Sequence, residues 1–375
     1  MSPQTATSER KQRWLAKEAF QSLLDALIAR GYAVVGPTID QEAIVYDRIE
    51  RVDDLPRGWT EVQGPATYRL ERRADDALFG YVVGPHSWKQ FLFPPAAIVA
   101  AADRTAAGWS MSTPADDAPK YAFLGVRACE VAAIRVQDRT FLEGPYVDPI
   151  YAARRKQALI IAVNCTQAAP TCFCTSMNTG PRVADGFDLA LTELPTGFVV
   201  EVGSELGAEI VGELPTQDVE DATLDQAAAA RQQAVDQITR RMDTEGIRDL
   251  LLGNLEHPRW EEVATRCLSC TNCTMVCPTC FCSSVNEVTD LQGDHVERQR
   301  QWESCFNIDF SYMNGGVVRN QIRSRYRQWL THKLASWIDQ YGVSGCVGCG
   351  RCITWCPVGI DLTEEVAAIR GSDRA

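Results

Sequence analysis

The pattern CxxCxxCxxxCP occurs twice near the end of this chain. The first copy contains Cys267, Cys270, Cys273 and Cys277, and the second contains Cys346, Cys349, Cys352 and Cys356. Two-residue gaps let a loop curl so that three thiolates reach one iron–sulfur cube, while the fourth cysteine ligates the other cube in two-cluster ferredoxins. The pattern therefore predicts two [4Fe–4S] clusters and electron transfer. The predicted ligands are Cys267, Cys270, Cys273 and Cys356 for the first cluster, and Cys346, Cys349, Cys352 and Cys277 for the second.

Zinc sites and disulfides are the alternatives to clusters. Structural zinc uses cysteines in two pairs, whereas each run here has three closely spaced cysteines and a Cys-Pro, in which proline fixes the backbone after the remote ligand. The fifteen cysteines are an odd number, and the chain begins with a polar segment, residues 1–5, rather than a charged and then apolar signal. We therefore expect reduced thiols in a cytoplasmic protein.

Composition and charge limit the partners of the chain. Its 375 residues are 45% hydrophobic and 23% charged, which is typical of a globular protein of two domains. The formal net charge of −12 argues against nucleic acid, because phosphate binding needs a cationic surface. The longest apolar stretches, such as residues 96–102 and 158–163, are far below the roughly 20 residues that a membrane span requires. No membrane span is predicted.

The first part of the chain predicts an α/β or α+β domain over residues 1–212. Ser8 to Arg30 has apolar residues on one helical face and ends before Gly31, which predicts an amphipathic helix with a glycine C-cap. Short β-rich stretches follow between Pro and Gly residues. They span residues 32–35, 43–47, 81–83, 121–126, 158–163, 187–192 and 197–202. Neither GxGxxG after a strand nor GxxxxGK[ST] occurs, so we expect flavin or nicotinamide to bind another subunit.

A linker with a connecting helix over 222–242 is predicted for residues 213–246. An α-helical ferredoxin domain with the two [4Fe–4S] motifs is predicted for residues 247–375. A short helix is expected over 258–266, before the first cysteine loop. Between the two runs, residues 318–340 carry apolar side chains at helical spacing. We therefore expect helices to bridge the two cysteine loops, with the tryptophans of this stripe in core packing.

Seven further cysteines lie outside the two runs. Cys129 and Cys165 each follow a predicted strand, and Cys172 and Cys174 share one loop, so the four side chains can converge. A third [4Fe–4S] cluster with Glu130 as a conceivable oxygen ligand, and buried structural cysteines, are both compatible with this pattern. The remaining three are Cys280, Cys282 and Cys305. The phrase Thr-Cys-Phe-Cys occurs at 171–174 and again at 279–282. A cube at these three would need a ligand such as His295, so we expect them to pack in the core or to support the ligands of a neighbouring cluster.

Charged residues near the runs have two interpretations. Arginines can offset the negative charge of a thiolate-bound cube, but any one of them is expected to lie on a solvated helix face. They are Arg266, Arg319, Arg323, Arg325, Arg327 and Arg351. The four histidines are scattered singly and are expected to be ordinary polar or packing residues. They are His86, His257, His295 and His332.

Several segments resemble the β (iron–sulfur) subunit of soluble NAD(P)-linked [NiFe] hydrogenases, also called sulfhydrogenases. The similarity covers residues 267–282 and 345–357, residues 302–306 and 323–327, and the first domain through Phe91–Pro95 and the Cys129 and Cys172/Cys174 segments. The related iron–sulfur subunit of anaerobic sulfite reductases has the same two motifs. One departure is Glu130, because such proteins often have Asp after the corresponding cysteine.

The resemblance implies an electron relay. Its partners would be a flavin subunit that handles NAD(P)H and the small and large subunits of a [NiFe] hydrogenase, and this chain would not be catalytic alone. Three alternatives remain open. They are the related iron–sulfur subunit of an anaerobic sulfite reductase complex, a stand-alone iron–sulfur enzyme that binds substrate at the Cys129 and Cys172/Cys174 region, and a zinc-binding interaction module.

Overall fold

The computed structural model describes residues 10–113 and 118–373, which form a mixture of helices and strands. The strands are β1 (Gln12–Ala16), β2 (Ala33–Asp40), β3 (Ala43–Arg48), β4 (Trp59–Gly64), β5 (Thr67–Arg72), β6 (Ala96–Thr105), β7 (Gly108–Ser112), β8 (Tyr121–Val126), β9 (Leu159–Val163), β10 (Leu189–Leu194), β11 (Gly197–Val202), β12 (Gln217–Asp218), β13 (Ser283–Thr289), β14 (His295–Trp302), β15 (Tyr312–Met313) and β16 (Gly316–Val317).

The helices lie in both halves of the chain. They are α1 (Gln21–Ala29), α2 (Lys89–Leu92), α3 (Ala128–Phe141), α4 (Pro149–Gln157), α5 (Glu205–Glu213), α6 (Asp221–Gln237), α7 (Ile247–Gly253), α8 (Arg259–Arg266), α9 (Asn272–Met275), α10 (Ile322–Thr331), α11 (Trp337–Tyr341), α12 (Arg351–Thr354) and α13 (Leu362–Asp373). A π-helix, His332–Ser336, joins α10 to α11. In residues 10–113 and 118–373, no helix is both long and apolar enough to cross a bilayer.

An eight-stranded sheet with the order β12-β1-β11-β10-β9-β8-β2-β3 forms the N-terminal region. Its four central strands β10, β9, β8 and β2 are parallel, and the outer strands pair antiparallel. Successive side chains of a strand point to opposite faces. Accordingly, Leu124 packs in the core beneath α1 and α5, while Phe123 packs in the core beneath α3 and α4. Both faces are covered by helices, as parallel sheets require.

The predicted helix over Ser8–Arg30 was wrong in its first half. Residues 8 and 9 lie outside the described residues, and Gln12–Ala16 form strand β1 between β11 and β12. Hydrogen bonds to distant strands outweigh the local helical periodicity here. The end of the helix was predicted correctly, because Gly31 has φ +77° and the amide N–H groups of Gly31 and Tyr32 donate to Ile28 and Leu27.

The stretch Tyr81–Val83 was predicted as a strand, but it is an irregular segment. Its backbone groups find side-chain partners instead of a neighbouring strand. The Tyr81 carbonyl accepts from the Arg127 guanidinium at 2.7 Å, and the Val82 amide donates to the Glu61 carboxylate at 2.5 Å.

The segment between the two cysteine runs was predicted to be helical, which is wrong for its first half. Strands β13 and β14 form a hairpin there, and β14 pairs antiparallel with β6 to give a four-stranded sheet of order β13-β14-β6-β7. Pairing with β6, nearly 200 residues earlier, could not be recognised from local periodicity. The second half is helical from Ile322 to Tyr341, as the apolar stripe predicted.

The C-terminal helices surround an aromatic core. Trp260 of α8, Tyr326 and Trp329 of α10, and Phe306 pack together, with Leu334 of the π-helix beside them. Several cysteines of both runs border the same core, among them Cys267, Cys273, Cys346, Cys352 and Cys356. The tryptophans therefore have the packing role that the sequence predicted.

Candidate iron–sulfur sites

The first cysteine run and the end of the second line one cavity. Four of the side chains around it are the predicted first set, Cys267, Cys270, Cys273 and Cys356, and Cys352 borders it as well. Its other walls are largely apolar, including Phe306, Tyr326 and Trp329. Cys270 is exposed, whereas the other members of the set are partly buried. Four thiols around an apolar-walled cavity are a donor set that suits an iron–sulfur cube.

The two runs have the same backbone shape. Ser269 and Thr271 in the first run have positive φ angles of 52° and 71°, and Gly348 and Gly350 at the corresponding places in the second have 67° and 78°. This left-handed backbone curls each loop, so that the amide of Ser269 points at Cys267 Sγ (3.4 Å) and that of Gly348 at Cys346 Sγ (3.5 Å). Amides aimed at sulfur stabilise thiolates.

Only glycine fits in the second loop, because the N-terminal region packs against it. A Cβ at Gly348 would lie 2.7 Å from the backbone of Cys174, and a Cβ at Gly350 would lie 2.5 Å from the carbonyl oxygen of Thr171. The Phe173 amide also donates to the Gly348 carbonyl at 2.9 Å. The second run therefore lies directly on the loop that carries Cys172 and Cys174.

The structure brings together the cysteines of each predicted set. Burial raises the pKa of the Cys273 thiol, and the neighbouring thiols of Cys267, Cys356 and Cys270 raise it further. Burial likewise raises the pKa of Cys352, with contributions from Cys346, Cys349 and Cys277. Cys277 contributes at Cys273 as well, and Cys356 lines the same cavity as Cys267, Cys270 and Cys273. These positions fit the crossed arrangement expected for two cubes, and the ligand assignment stays a prediction.

The four N-terminal cysteines also converge. Cys129 begins α3 after β8, Cys165 follows β9, and all four are at most 9% exposed. Burial raises the pKa of Cys172 to about 12, and the thiols of Cys165 and Cys349 add to it. Burial also raises the pKa of Cys174, again with contributions from Cys172, Cys165 and Cys349. A third set of thiols therefore lies beside Cys349 of the second run.

Comparison with known proteins identifies the family. A family model described as a 4Fe-4S dicluster domain matches residues 266–360. Sulfhydrogenase 2 subunit beta of Pyrococcus furiosus is 30% identical over 325 residues, which cover 85% of this chain and 94% of that protein. The chain belongs to the sulfhydrogenase beta-subunit family. The dicluster match indicates [4Fe–4S] clusters, and no solved structure matches the chain.

Glu130 of this beta-subunit homologue is not placed as an iron ligand. Its carboxylate accepts hydrogen bonds from the Tyr46 hydroxyl (3.0 Å), Trp88 Nε1 (3.0 Å) and the Arg127 amide (3.0 Å), and it pairs with the Arg351 guanidinium. These donors use both carboxylate oxygens. Glu130 therefore ties the start of α3 to the second cysteine run.

Arg351 was expected on a solvated helix face, and that expectation was wrong. Its side chain is 0% exposed, and besides Glu130 it donates to the backbone carbonyls of Gly84 (2.9 Å) and His86 (3.0 Å). Arg325 is also buried, and it donates to the carbonyls of Arg319 and Asn320. A buried arginine so close to Cys349 and Cys352 adds positive charge beside the second and third sets.

Lys333 is a functional candidate that the sequence analysis missed. It is 3% exposed, and its ammonium lies 3.2 Å from Cys277 Sγ, Thr279 Oγ1 and the Gly345 carbonyl. Burial alone lowers the pKa of a lysine, but the surrounding thiols, led by Cys277, raise the pKa of Lys333 well above its usual value. The sequence did contain a signal for it, because Lys333 stands directly beside Leu334 in the apolar helical stripe of residues 318–340.

The structure also gives the position of His295 and bears on sites for a single metal ion. His295, weighed as a ligand for Cys280, Cys282 and Cys305, is partly exposed on β14 and contacts Asp103 (2.7 Å) and Glu297 (3.1 Å). It is therefore not near those cysteines. Within residues 10–113 and 118–373, no group of three or more His, Cys, Asp or Glu side chains is placed to hold a single metal ion.

The Glu130–Arg351 pair makes a prediction about stability. Glu130→Gln should lower the free energy of unfolding by about 3 kcal/mol, because it leaves a buried guanidinium without its charged partner. The matched control is Asp339→Asn, which breaks the exposed pair with Arg248 and should leave the free energy of unfolding nearly unchanged. Urea unfolding of the anaerobic, iron-loaded chain measures both. Equal losses in the two variants would contradict the structural role of Glu130.

Lys333 makes a prediction about redox potential. Lys333→Met removes a positive charge a few ångströms from the second set, which disfavours adding an electron there by about 3 kcal/mol, or on the order of 100 mV. The midpoint potential of that cluster should therefore become more negative in a spectroscopic redox titration. Lys156→Met, on the exposed side of α4, should leave it unchanged. An unchanged potential in Lys333→Met would show that the ammonium does not act on this cluster.

Proposed function

We propose that this chain is the electron-transfer subunit of an NAD(P)-dependent hydrogenase complex. It relays electrons between a flavin subunit that handles NAD(P)H and the small and large subunits of a [NiFe] hydrogenase, and it is not catalytic alone. The observation that carries the proposal is the gathering of Cys267, Cys270, Cys273 and Cys356 around one cavity in a homologue of sulfhydrogenase 2 subunit beta. The sequence contains neither of the two familiar nucleotide loops, which fits nucleotide chemistry on a partner.

Three thiol sets in a row support a relay rather than a single site. Burial and the nearby Cys349 thiol raise the pKa of Cys129, which supports a third set beside the second. Burial and neighbouring thiols, Cys277 among them, raise the pKa of Cys273, which supports a second set beside the first. We propose a [4Fe–4S] cluster at each of these three sets, since such clusters take up and release single electrons. The residues around them hold the sulfurs in place and exclude water.

The three-part organisation predicted from the sequence also stays a proposal. It comprises an α/β domain over residues 1–212, a linker and connecting helix over 213–246, and a dicluster domain over 247–375. Two contacts cross the proposed boundaries, namely the β6–β14 pairing and the Glu130–Arg351 pair. We propose that these contacts keep the third set in register with the other two.

The first set supplies a surface for electron exchange with a partner. Cys270 is exposed, and the neighbouring Leu268 is 61% exposed. The hairpin β15–β16 adds Tyr312 and Met313, which are 63% and 65% exposed, and Arg325 links the chain just after this hairpin to Ser269. Exposed apolar side chains around a functional group are typical of protein interfaces. We propose that a partner subunit docks here.

The native complex provides the direct test of the function. Hydrogen-dependent reduction of NAD(P)⁺ by the purified complex, with its subunits identified by mass spectrometry, is the expected result. Sulfite reduction without hydrogenase activity would favour the sulfite reductase relative instead. Turnover by the isolated chain would favour a stand-alone enzyme, and zinc without iron or acid-labile sulfide would favour an interaction module.

The crossed ligands make a separate prediction. Cys356→Ser should damage the cluster of the first run, and Cys277→Ser should damage the cluster of the second, because each remote cysteine belongs to the other set. Electron paramagnetic resonance of the reduced variants, compared with Cys267→Ser and Cys346→Ser as references for the two signals, separates the two clusters. Cys356→Ser matching Cys346→Ser would show that the remote ligands do not cross.

The docking surface makes a prediction with a matched control. Met313→Asp places a charge on the proposed contact and should weaken binding of the chain to its partner subunits at least about tenfold, because a desolvated unpaired charge opposes association. Met111→Asp is the control, since Met111 is 78% exposed on β7, which belongs to the four-stranded sheet and not to the hairpin β15–β16. Pull-down titration of the tagged chain with the remaining subunits measures both. Equal binding of the two variants would place the interface elsewhere.

A further inference from the structure

Cys280, Cys282 and Cys305 lie together around one cavity, although they belong to none of the three sets. Pro278 and the loop after it bring the first two to the cavity, and the Glu303 amide donates to the Cys282 carbonyl at 2.8 Å, which holds the chain before Cys305 next to it. The cavity is otherwise lined by three aromatic side chains, Lys333 and His332. The aromatic residues are Phe281, Trp329 and Trp337.

Two buried ammonium groups face this group of thiols. Lys333 reaches Cys277 Sγ, and Lys89 is 4% exposed, with its Nζ 3.1 Å from the Cys280 carbonyl and 3.8 Å from the centre of the Trp302 ring. Neither ammonium forms an ion pair with a carboxylate in the described part of the chain. Buried charges are costly unless they are paired, so two buried lysines suit a neighbouring site that is anionic when occupied.

Thiolates are the anions that the surrounding chain can provide. Cys277, which belongs to the second set, is the thiol partner of the Lys333 ammonium. Lys89 lies against the loop that carries Cys280 and Cys282, with its Nζ on the Cys280 carbonyl, so it is placed beside cysteines outside that set. A thiol on its own is neutral near pH 7, and binding iron removes its proton.

The repeated phrase Thr-Cys-Phe-Cys points in the same direction. Its first copy, residues 171–174, supplies Cys172 and Cys174 to the third set, and its second copy, residues 279–282, supplies Cys280 and Cys282 to this cavity. The threonine of each copy is buried, and its hydroxyl is hydrogen-bonded. The same four-residue phrase therefore supplies a Cys-x-Cys pair to a cysteine-lined space in both places.

We propose that Cys280, Cys282 and Cys305 bind a further iron–sulfur cube, with His332 as the ligand of its fourth iron. Of the other side chains around the cavity, His332 alone carries an atom suited to binding iron, since the rest are aromatic or an ammonium. It lies at the start of the π-helix, whose second residue is Lys333. Single π-turns are frequent at functional sites.

The charges of such a site balance. An oxidised cube core carries a formal charge of about 2+, so three thiolates and a neutral imidazole leave a net charge of about −1. Lys89 and Lys333 lie on the side where the thiols lie, and Lys333 is shared with Cys277 of the second set. This replaces the packing role that the sequence suggested for these cysteines, and the ligand is His332 rather than His295.

The first test is the iron content of the full-length chain, reconstituted anaerobically with iron and sulfide. The variant with Cys280→Ser, Cys282→Ser and Cys305→Ser should hold about four iron ions fewer per chain than the wild type, with the signals of the first and second sets retained. Retention of those signals separates this result from a failure of the proposed function. Unchanged iron content, zinc in place of iron, or a Cys282–Cys305 disulfide in the wild type would overturn the proposal.

His332 gives a second test that keeps all fifteen cysteines. His332→Ala should convert one cube to a form that loses its fourth iron easily, giving a new three-iron signal in the oxidised chain, and His332→Cys should abolish that signal. His295→Ala is the matched control, because His295 contacts two carboxylates on the exposed sheet and should change nothing. Identical spectra of His332→Ala and the wild type would overturn the proposal even where the triple variant does not fold.

Discussion

The buried ion pair between Glu130 and Arg351 positions the cysteine sets relative to one another. Glu130 follows Cys129 and Arg351 lies between Cys349 and Cys352, so this contact joins the segments that carry the third and second sets. Both side chains are at most 1% exposed, and neither charge has water to replace its partner. The close packing of Gly348 against Cys174 lies at the same junction, where the second run meets the N-terminal region.

Buried cations recur wherever thiols gather in this structure. Arg351 lies beside the second and third sets, Lys333 beside Cys277, and Lys89 beside Cys280. The chain as a whole has a formal charge of −12, so these interior cations run against the overall composition. They suit groups that are anionic when bound and become more so on reduction, because nearby positive charge favours the added electron.

The sequence predicted some features well because they are local. The apolar stripe identified the helix that contains Trp329, while the two crossed sets of four cysteines that the spacing of the runs indicates stay a prediction. Strand β1 and the β6–β14 pairing were missed, because strand partners are distant in sequence. Lys89 was missed for the same reason, since its proximity to Cys280 arises only in the folded chain.

The proposed function requires that electrons in turnover pass through this chain. Rapid-freeze electron paramagnetic resonance of the native complex, mixed with hydrogen in the presence of NAD(P)⁺, measures this passage. The account predicts that reduced-cluster signals from this chain appear before NAD(P)H accumulates, and that the isolated chain mixed with hydrogen shows none. Clusters of this chain that stay oxidised while the complex turns over would contradict it.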